Sequence, residues 1–226
     1  MNTLPATAVL QRNVIQYSIG EEIANSVLHG IGTLLATVGM VLLTQKTLGL
    51  LGGQKLGNLE IIAALLFTTT MIFMFLISTL YHAIQHLPAK SILRKLDHSV
   101  IFIFIAGTYS PLCLSGLKGG WGWSLFVLEW SLALIGITLN ILNSKALKKI
   151  EIAVYLMMGW AIVIGCVPLV RSIPIGSIIL LIAGGVSYTF GTLWYRKKSV
   201  KHTHVIWHAF VLIGTICHWF SIWYLI

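Results

Sequence analysis

The sequence predicts an all-α fold: a bundle of seven transmembrane helices with the N-terminus in the cytoplasm and the C-terminus outside. Three observations predict it. Of the 226 residues, 57% are hydrophobic and only 9% are charged, whereas about a quarter are charged in soluble domains. The apolar residues fall into seven stretches of about 20 residues, the length that crosses a bilayer core. The basic residues collect in alternate loops, as in inserted helices. This composition excludes a soluble globular protein and a disordered chain.

The seven apolar stretches account for nearly the whole chain, and they leave only short loops between them. These loops are too short to hold a separate soluble domain, so residues 1–226 are predicted to form a single integral membrane domain. Residues 7–19 are predicted to form a short interfacial helix before the first span. The predicted spans lie near 24–44, 59–82, 98–117, 121–142, 151–170, 174–195 and 203–225.

The distribution of lysine and arginine predicts the orientation. With the N-terminus inside, eleven of the 15 basic residues fall in cytoplasmic segments and four fall outside. Basic residues accumulate on the cytoplasmic side of inserted helices, so the net charge of +9 is explained by topology and by contact with anionic lipid headgroups. The same distribution argues against a nucleic-acid partner.

A stripe of small residues runs along the predicted sixth span. Gly184, Ser187 and Gly191 recur at intervals of three and four residues, which places them on one face of a helix. Small residues on one face allow two membrane helices to approach closely. We therefore predict that this stripe serves helix packing rather than chemistry.

Polar side chains collect at one end of three predicted spans. Ser78 and His82 close the second span. His204 and His208 open the seventh, and Asp97 stands at the start of the third. Both pairs are spaced i, i+4 and so share a helical face. Under the predicted topology all five lie at the cytoplasmic side. Ionisable groups inside membrane spans are costly and mark functional sites by default.

Three imidazoles beside an acid suit a zinc site. Neutral imidazoles bind zinc at about 2.0–2.1 Å, and three protein ligands plus water form the open, catalytic arrangement. We predict His82, His204 and His208 as the ligands. Asp97 would orient the bound water or accept its proton, and Ser78 would hydrogen-bond to that water or to a substrate carbonyl. The alternative is that these histidines are interfacial side chains bound to headgroups and loop backbone.

The other buried or interfacial polar residues are assigned structural roles or left open. His86 and His98 are expected at the headgroup level, and His202 is assigned to the basic loop before the seventh span. His218 lies about 21 Å along its helix from His204, so it is expected to be a hydrogen-bonded interior residue outside any shared metal site. Glu129 lies about 12 Å deep in the fourth span, where a protonated or hydrogen-bonded carboxyl is expected.

A further polar group lies near the start of the first span. Asn25 and His29 form another i, i+4 pair and follow Glu21 and Glu22. Two interpretations stay open: these residues support the predicted site, or they cap the first helix.

Five motifs span nearly the whole chain: E-E-I-A-N-S-V-L-H-G at 21–30, S-T-L-Y-H at 78–82, L-D-H-S-V-I-F at 96–102, A-G-T-Y-S-P at 106–111 and H-V-I-W-H at 204–208. In these motifs the sequence resembles the hemolysin III family, the bacterial branch of the progestin and adiponectin receptor-like (PAQR) membrane proteins. The resemblance implies a seven-helix bundle in the inner membrane with a cytoplasmic N-terminus. It also implies zinc held by His82, His204 and His208, with Ser78 and Asp97 around the bound water. Glu129 matches no part of the family pattern.

Three functions are compatible with these patterns. The wider superfamily resembles alkaline ceramidases, which implies a zinc-dependent hydrolase of lipid amides or esters in membrane-lipid homeostasis. The second is a non-enzymatic receptor or bilayer-state sensor with structural zinc. The third, a cytolytic pore, ranks last because the spans lack continuous polar stripes. Membrane lipids are the expected partners in each case, and the sequence does not determine the oligomeric state.

Overall fold

The computed structural model describes residues 17–197 and 200–226, and its regular structure over these residues is helical. Seven of its helices are long and apolar enough to cross a membrane, which confirms the predicted fold class. The orientation of the termini stays a prediction, and most of the interfacial helix predicted over 7–19 lies outside the described residues. The seven helices are α1 (Ile19–Thr47), α2 (Asn58–Ala83), α3 (Leu87–Leu117), α4 (Gly119–Ile141), α5 (Lys145–Ser172), α6 (Ile175–Tyr195) and α7 (Thr203–Leu225).

The outside of the bundle is apolar and its interior contains polar groups, as in an integral membrane protein. Large aliphatic side chains such as Leu134, Ile164 and Ile179 point outward and are more than half exposed. The interior, in contrast, contains charged and polar side chains, including the fully buried His82 and Glu129. Lipid tails stabilise exposed apolar groups but cannot hydrogen-bond, so the polar groups lie inside the bundle.

The helices pack so that three of them meet at one end of the bundle. Helix α1 contacts both α2 and α7, and α7 also packs along α6. Helix α3 lies between α2 and α4. The end of α2 and the start of α7 therefore lie on either side of the start of α1.

Helix α3 begins earlier than the sequence predicts. The predicted span starts at residue 98, whereas the helix starts at Leu87 with Pro88 in its first turn, a position that suits proline because its fixed φ matches a helix. The intervening segment is rich in basic residues, and its Lys90 is buried, so hydropathy alone places the start too late. Asp97 therefore lies inside a continuous helix rather than at its beginning.

Two of the seven helices contain an irregular segment. The last turns of α3, Leu112–Leu117, form a π-helix, and Ala161–Gly165 in α5 form a 3₁₀ segment. The Tyr109 hydroxyl accepts a hydrogen bond from the Ile162 amide (2.8 Å) and donates to the Met158 carbonyl (2.8 Å). A helix break in lipid is tolerated only where the released backbone groups find partners, and Tyr109 supplies them here.

The small-residue stripe of α6 packs against α7, as predicted. The Ser187 hydroxyl donates to the Phe210 carbonyl at 2.8 Å. A Cβ added at Gly191 would lie 2.8 Å from the Phe210 Cβ, and one added at Gly184 would lie 2.9 Å from the Gly214 carbonyl oxygen. The two backbones are therefore as close as glycine permits.

We expect Gly184→Ala to destabilise the protein by about 1–3 kcal/mol, because the added methyl group meets backbone that must shift. Gly176→Ala is the matched control, since it lies in the same helix and an added Cβ there meets nothing within 4 Å. Thermal unfolding in detergent measures both. Equal melting temperatures for the two variants would contradict the close packing of α6 on α7.

Candidate metal centre

Three histidines from two helices converge at one end of the bundle. His82 comes from the last turns of α2, and His204 and His208 come from the first turns of α7. One ring nitrogen from each lies within 4.8 Å of the other two. The Nε2 atoms of His82 and His208 are 3.1 Å apart. The three histidines predicted from the sequence therefore form one cluster, which is called the histidine cluster below.

The spacing of the histidine cluster suits a metal ion. Two imidazole nitrogens bound tetrahedrally at about 2.0–2.1 Å from one ion lie about 3.3 Å apart, close to the distance between His82 and His208. His82 is fully buried and His208 nearly so. The described residues thus contain three imidazole nitrogen donors close enough to hold one metal ion. That they do so stays a prediction.

The Glu22 carboxylate fixes the His82 ring. Its Oε2 lies 2.7 Å from His82 Nδ1, and its Oε1 lies 2.8 Å from Lys90 Nζ. Lys90 is itself buried and donates to the Tyr81 carbonyl at 2.9 Å. Because Glu22 engages Nδ1, the ring presents Nε2 to the cluster, the arrangement in which carboxylates orient metal-binding imidazoles.

Glu21 and Glu22 have different roles: one caps helices and the other supports the predicted site, the two roles that the sequence leaves open for this part of α1. The Ser18 amide donates to the Glu21 carboxylate at 3.0 Å, which completes a capping box at the start of α1. The other oxygen of Glu21 accepts from the His202 amide at 2.6 Å and so ties α1 to the start of α7. Glu21 therefore caps helices, whereas Glu22 supports the histidine cluster.

Tyr17 covers the open side of the histidine cluster. Its ring stacks on His204 with centroids 4.7 Å apart. Burial raises the pKa of the Tyr17 phenol, so the hydroxyl is neutral at pH 7. No motif in the sequence indicates this contact. Tyr17 lies far from His204 along the chain, and its uncharged ring offers no opposite charge from which a pairing could be predicted.

Ser78 and Asp97 lie beside the histidine cluster, on the wall of the same cavity. The two side chains are neighbours. Among the described residues, however, the Ser78 hydroxyl has no partner that meets the usual distance and angle limits of a hydrogen bond. The Ser78 hydroxyl is buried, and we expect its O–H to donate to a bound molecule. The structure therefore brings together all five residues that the sequence proposes for the site.

A cavity of about 350 Å³ begins at the histidine cluster. One end carries the polar groups, and the remaining wall is mostly aliphatic and aromatic. The apolar wall extends along α5 and α6, past Ile182 and Gly185, to Leu169 and Val170. The cavity therefore combines a polar end with a long apolar body.

Other polar residues named from the sequence lie outside the histidine cluster. His98 Nδ1 pairs with Glu151 at 3.1 Å, and its expected position at the headgroup level stays a prediction. His218 Nε2 donates to the Leu181 carbonyl at 3.1 Å, as expected for an interior residue. The Glu129 carboxyl is buried and has no hydrogen-bond partner among the described residues.

Comparison with known proteins finds relatives along most of the chain. Residues 17–219 match the family described as "Haemolysin-III related". The Hemolysin-3 homolog of Bacillus subtilis (strain 168) is 40% identical over 207 residues, which are 91% of this chain and 94% of the relative. Hemolysin-3 of Bacillus cereus is 34% identical over 205 residues, which are 90% of this chain and 91% of the relative.

We expect Glu22→Gln to weaken Zn²⁺ or Co²⁺ binding by about 10–100-fold, because the neutral amide no longer orients His82. Glu151→Gln is the matched control, since it removes a similar carboxylate–imidazole contact with His98 outside the cluster. Competition with a chromophoric chelator measures both affinities. An equal loss of affinity in the two variants would mean that Glu22 acts only through general stability.

Proposed function

The chain belongs to the haemolysin-III-related family of multi-pass membrane proteins, and from this membership and the histidine cluster we propose that it is a zinc-dependent hydrolase of lipid amides or esters. In this proposal His82, His204 and His208 hold the zinc ion. The biological role is membrane-lipid homeostasis. The observation that carries the proposal is a three-imidazole cluster at the polar end of an otherwise apolar cavity.

Zinc is the metal that the donor set favours. Three imidazole nitrogens without thiolates suit zinc, and three protein ligands leave a fourth position for water or substrate. When bound, zinc supplies a Lewis acid for the substrate carbonyl and makes a neighbouring water more acidic. The neighbouring side chains determine what this chemistry acts on.

Asp97 and Ser78 are assigned the proton transfer and the stabilisation of developing charge. Asp97 accepts the proton that the attacking water loses as its oxygen bonds to the carbonyl carbon. The Ser78 hydroxyl donates to the carbonyl oxygen as that oxygen becomes negative. When the C–N or C–O bond breaks, Asp97 returns the proton to the leaving amine or alcohol. The products are a fatty acid and an amine or an alcohol.

The apolar body of the cavity supports a lipid as the substrate. A volume of about 350 Å³ lies in the range of ligand pockets. Its aliphatic wall accommodates an acyl chain and excludes water, while the histidine cluster lies where the polar carbonyl would be. A small water-soluble substrate would leave most of this apolar wall without a partner.

The second candidate is a receptor or bilayer sensor in which zinc is structural. The observation that favours it is that the histidine cluster joins α2 to α7, while Glu22 attaches α1 and Lys90 of α3 to the same point. A metal ion there would hold four helices together, and its role would be stability rather than chemistry.

We expect about one zinc per chain in the purified protein and none in the His204→Ala/His208→Ala double variant, because one histidine alone cannot retain the ion. Elemental analysis after purification with supplemental zinc measures both. His218→Ala is the control, since it removes an interior histidine outside the cluster. A wild-type protein without zinc would refute the metal site and the hydrolase with it.

We expect Asp97→Asn to lower the hydrolysis of a lipid amide or ester by about 10²–10⁴-fold while the zinc content stays unchanged, because the amide cannot accept the proton. The assay follows a fluorescent N-acyl lipid and its ester analogue in phosphatidylcholine vesicles that contain the protein.

The same assay distinguishes the two candidate functions. If the zinc-loaded wild type hydrolyses neither lipid, and removing zinc only lowers the melting temperature, the structural role of zinc replaces the catalytic one. If Asp97→Asn retains full turnover, Asp97 is not the base.

A further inference from the structure

A second group of buried polar side chains, carried by α1 and α7, adjoins the histidine cluster. It consists of Asn25, His29 and the Nδ1 atom of His208, and is called the rear polar group below. Asn25 is fully buried, and His29 and His208 are 2% and 3% exposed. Asn25 and His29 are four residues apart on α1 and so share one face of that helix.

The rear polar group contains five buried atoms without a hydrogen-bond partner among the described residues. They are both amide atoms of Asn25, both ring nitrogens of His29, and His208 Nδ1. An unsatisfied buried polar group is costly, and more so where no bulk water is available. Such atoms are rare singly, so four on one face of α1 and a fifth on the neighbouring His208 ring indicate a shared function.

The two histidine rings are held in close contact. The His29 and His208 rings meet edge to face with centroids 3.8 Å apart. Phe75 contacts His29 edge-on with centroids 5.1 Å apart. With the ring centroids 3.8 Å apart, any nitrogen of one ring lies at most about 6 Å from any nitrogen of the other. One water molecule can join two atoms at that distance, with two hydrogen bonds of about 3 Å each.

The two buried ligand histidines differ in how their second ring nitrogen is held. His82 presents Nε2 to the cluster, and its Nδ1 is fixed by Glu22 at 2.7 Å. His208 also presents Nε2, at 3.1 Å from His82 Nε2, but among the described residues its Nδ1 has no such carboxylate. A metal-binding imidazole almost always donates its other N–H to an acceptor that fixes the ring and its tautomer. The rear polar group contains the nearby acceptors.

We propose that Asn25 and His29 are positioning residues for His208, and that they accept the Nδ1–H of His208 through one internal water. Buried waters typically make about three hydrogen bonds to otherwise unsatisfied polar groups, and the five atoms described above supply both donors and acceptors. This inference rests on the proposed metal site and adds to it: α1 orients both buried ligands, His82 through Glu22 and His208 through Asn25 and His29.

The test uses cobalt in place of zinc in the full-length protein. The visible absorption of bound Co²⁺ reports the geometry of its ligands, a property that general destabilisation does not alter. We expect Asn25→Leu and His29→Leu each to change the Co²⁺ spectrum and to weaken metal binding by about 10–100-fold. Asn25→Asp keeps an acceptor oxygen and is expected to restore most of the affinity.

The matched control is Asn140→Leu. Asn140 is also buried, and it donates to the Lys95 carbonyl and to Ser99 at the interface of α4 and α3, outside the histidine cluster. We expect that variant to melt at a lower temperature with an unchanged Co²⁺ spectrum.

The outcomes separate this inference from the metal site itself. If the wild type binds neither Co²⁺ nor Zn²⁺, the metal site is wrong. If the wild type binds metal, and the Asn25 and His29 variants keep its spectrum and affinity, only the positioning role is refuted.

Discussion

A polar group in the hydrocarbon region of a bilayer has no water to bind, and this constraint shapes the structure. Charged and amide side chains are found inside the bundle, where several of them pair with other polar groups, while aliphatic side chains cover the outside. The same constraint explains why the break in α5 occurs where Tyr109 supplies both a donor and an acceptor to the backbone. In this protein, buried polar contacts therefore determine which helices meet.

Glu22 is the clearest example of such a contact. It lies on α1 and binds His82 of α2 with one carboxylate oxygen and Lys90 of α3 with the other. A buried carboxylate is costly unless it is paired and hydrogen-bonded, and here both oxygens have charged or polar partners. One side chain thus joins α1, α2 and α3 and determines the direction in which the His82 ring points.

The cavity follows from the way the remaining helices pack. Helix α1 contributes His29 to the polar end, whereas α5 and α6 form much of the apolar wall. The two requirements of lipid chemistry, a polar reaction centre and an apolar binding surface, are thereby met by different helices. Glu129 belongs to neither part, since it lies outside the cavity wall and has no partner among the described residues.

The sequence by itself determined the seven apolar helices, the helical face shared by His204 and His208, and the small-residue stripe of α6, because these depend on composition and on the period of a single helix. It placed the start of α3 too late, because a buried Lys90 resembles an interfacial one until its partner is known. Only the tertiary structure decided that Glu22 supports the histidine cluster while Glu21 caps helices. Adjacent residues on one helix point in different directions, and their roles depend on contacts with residues 60 and 181 positions away.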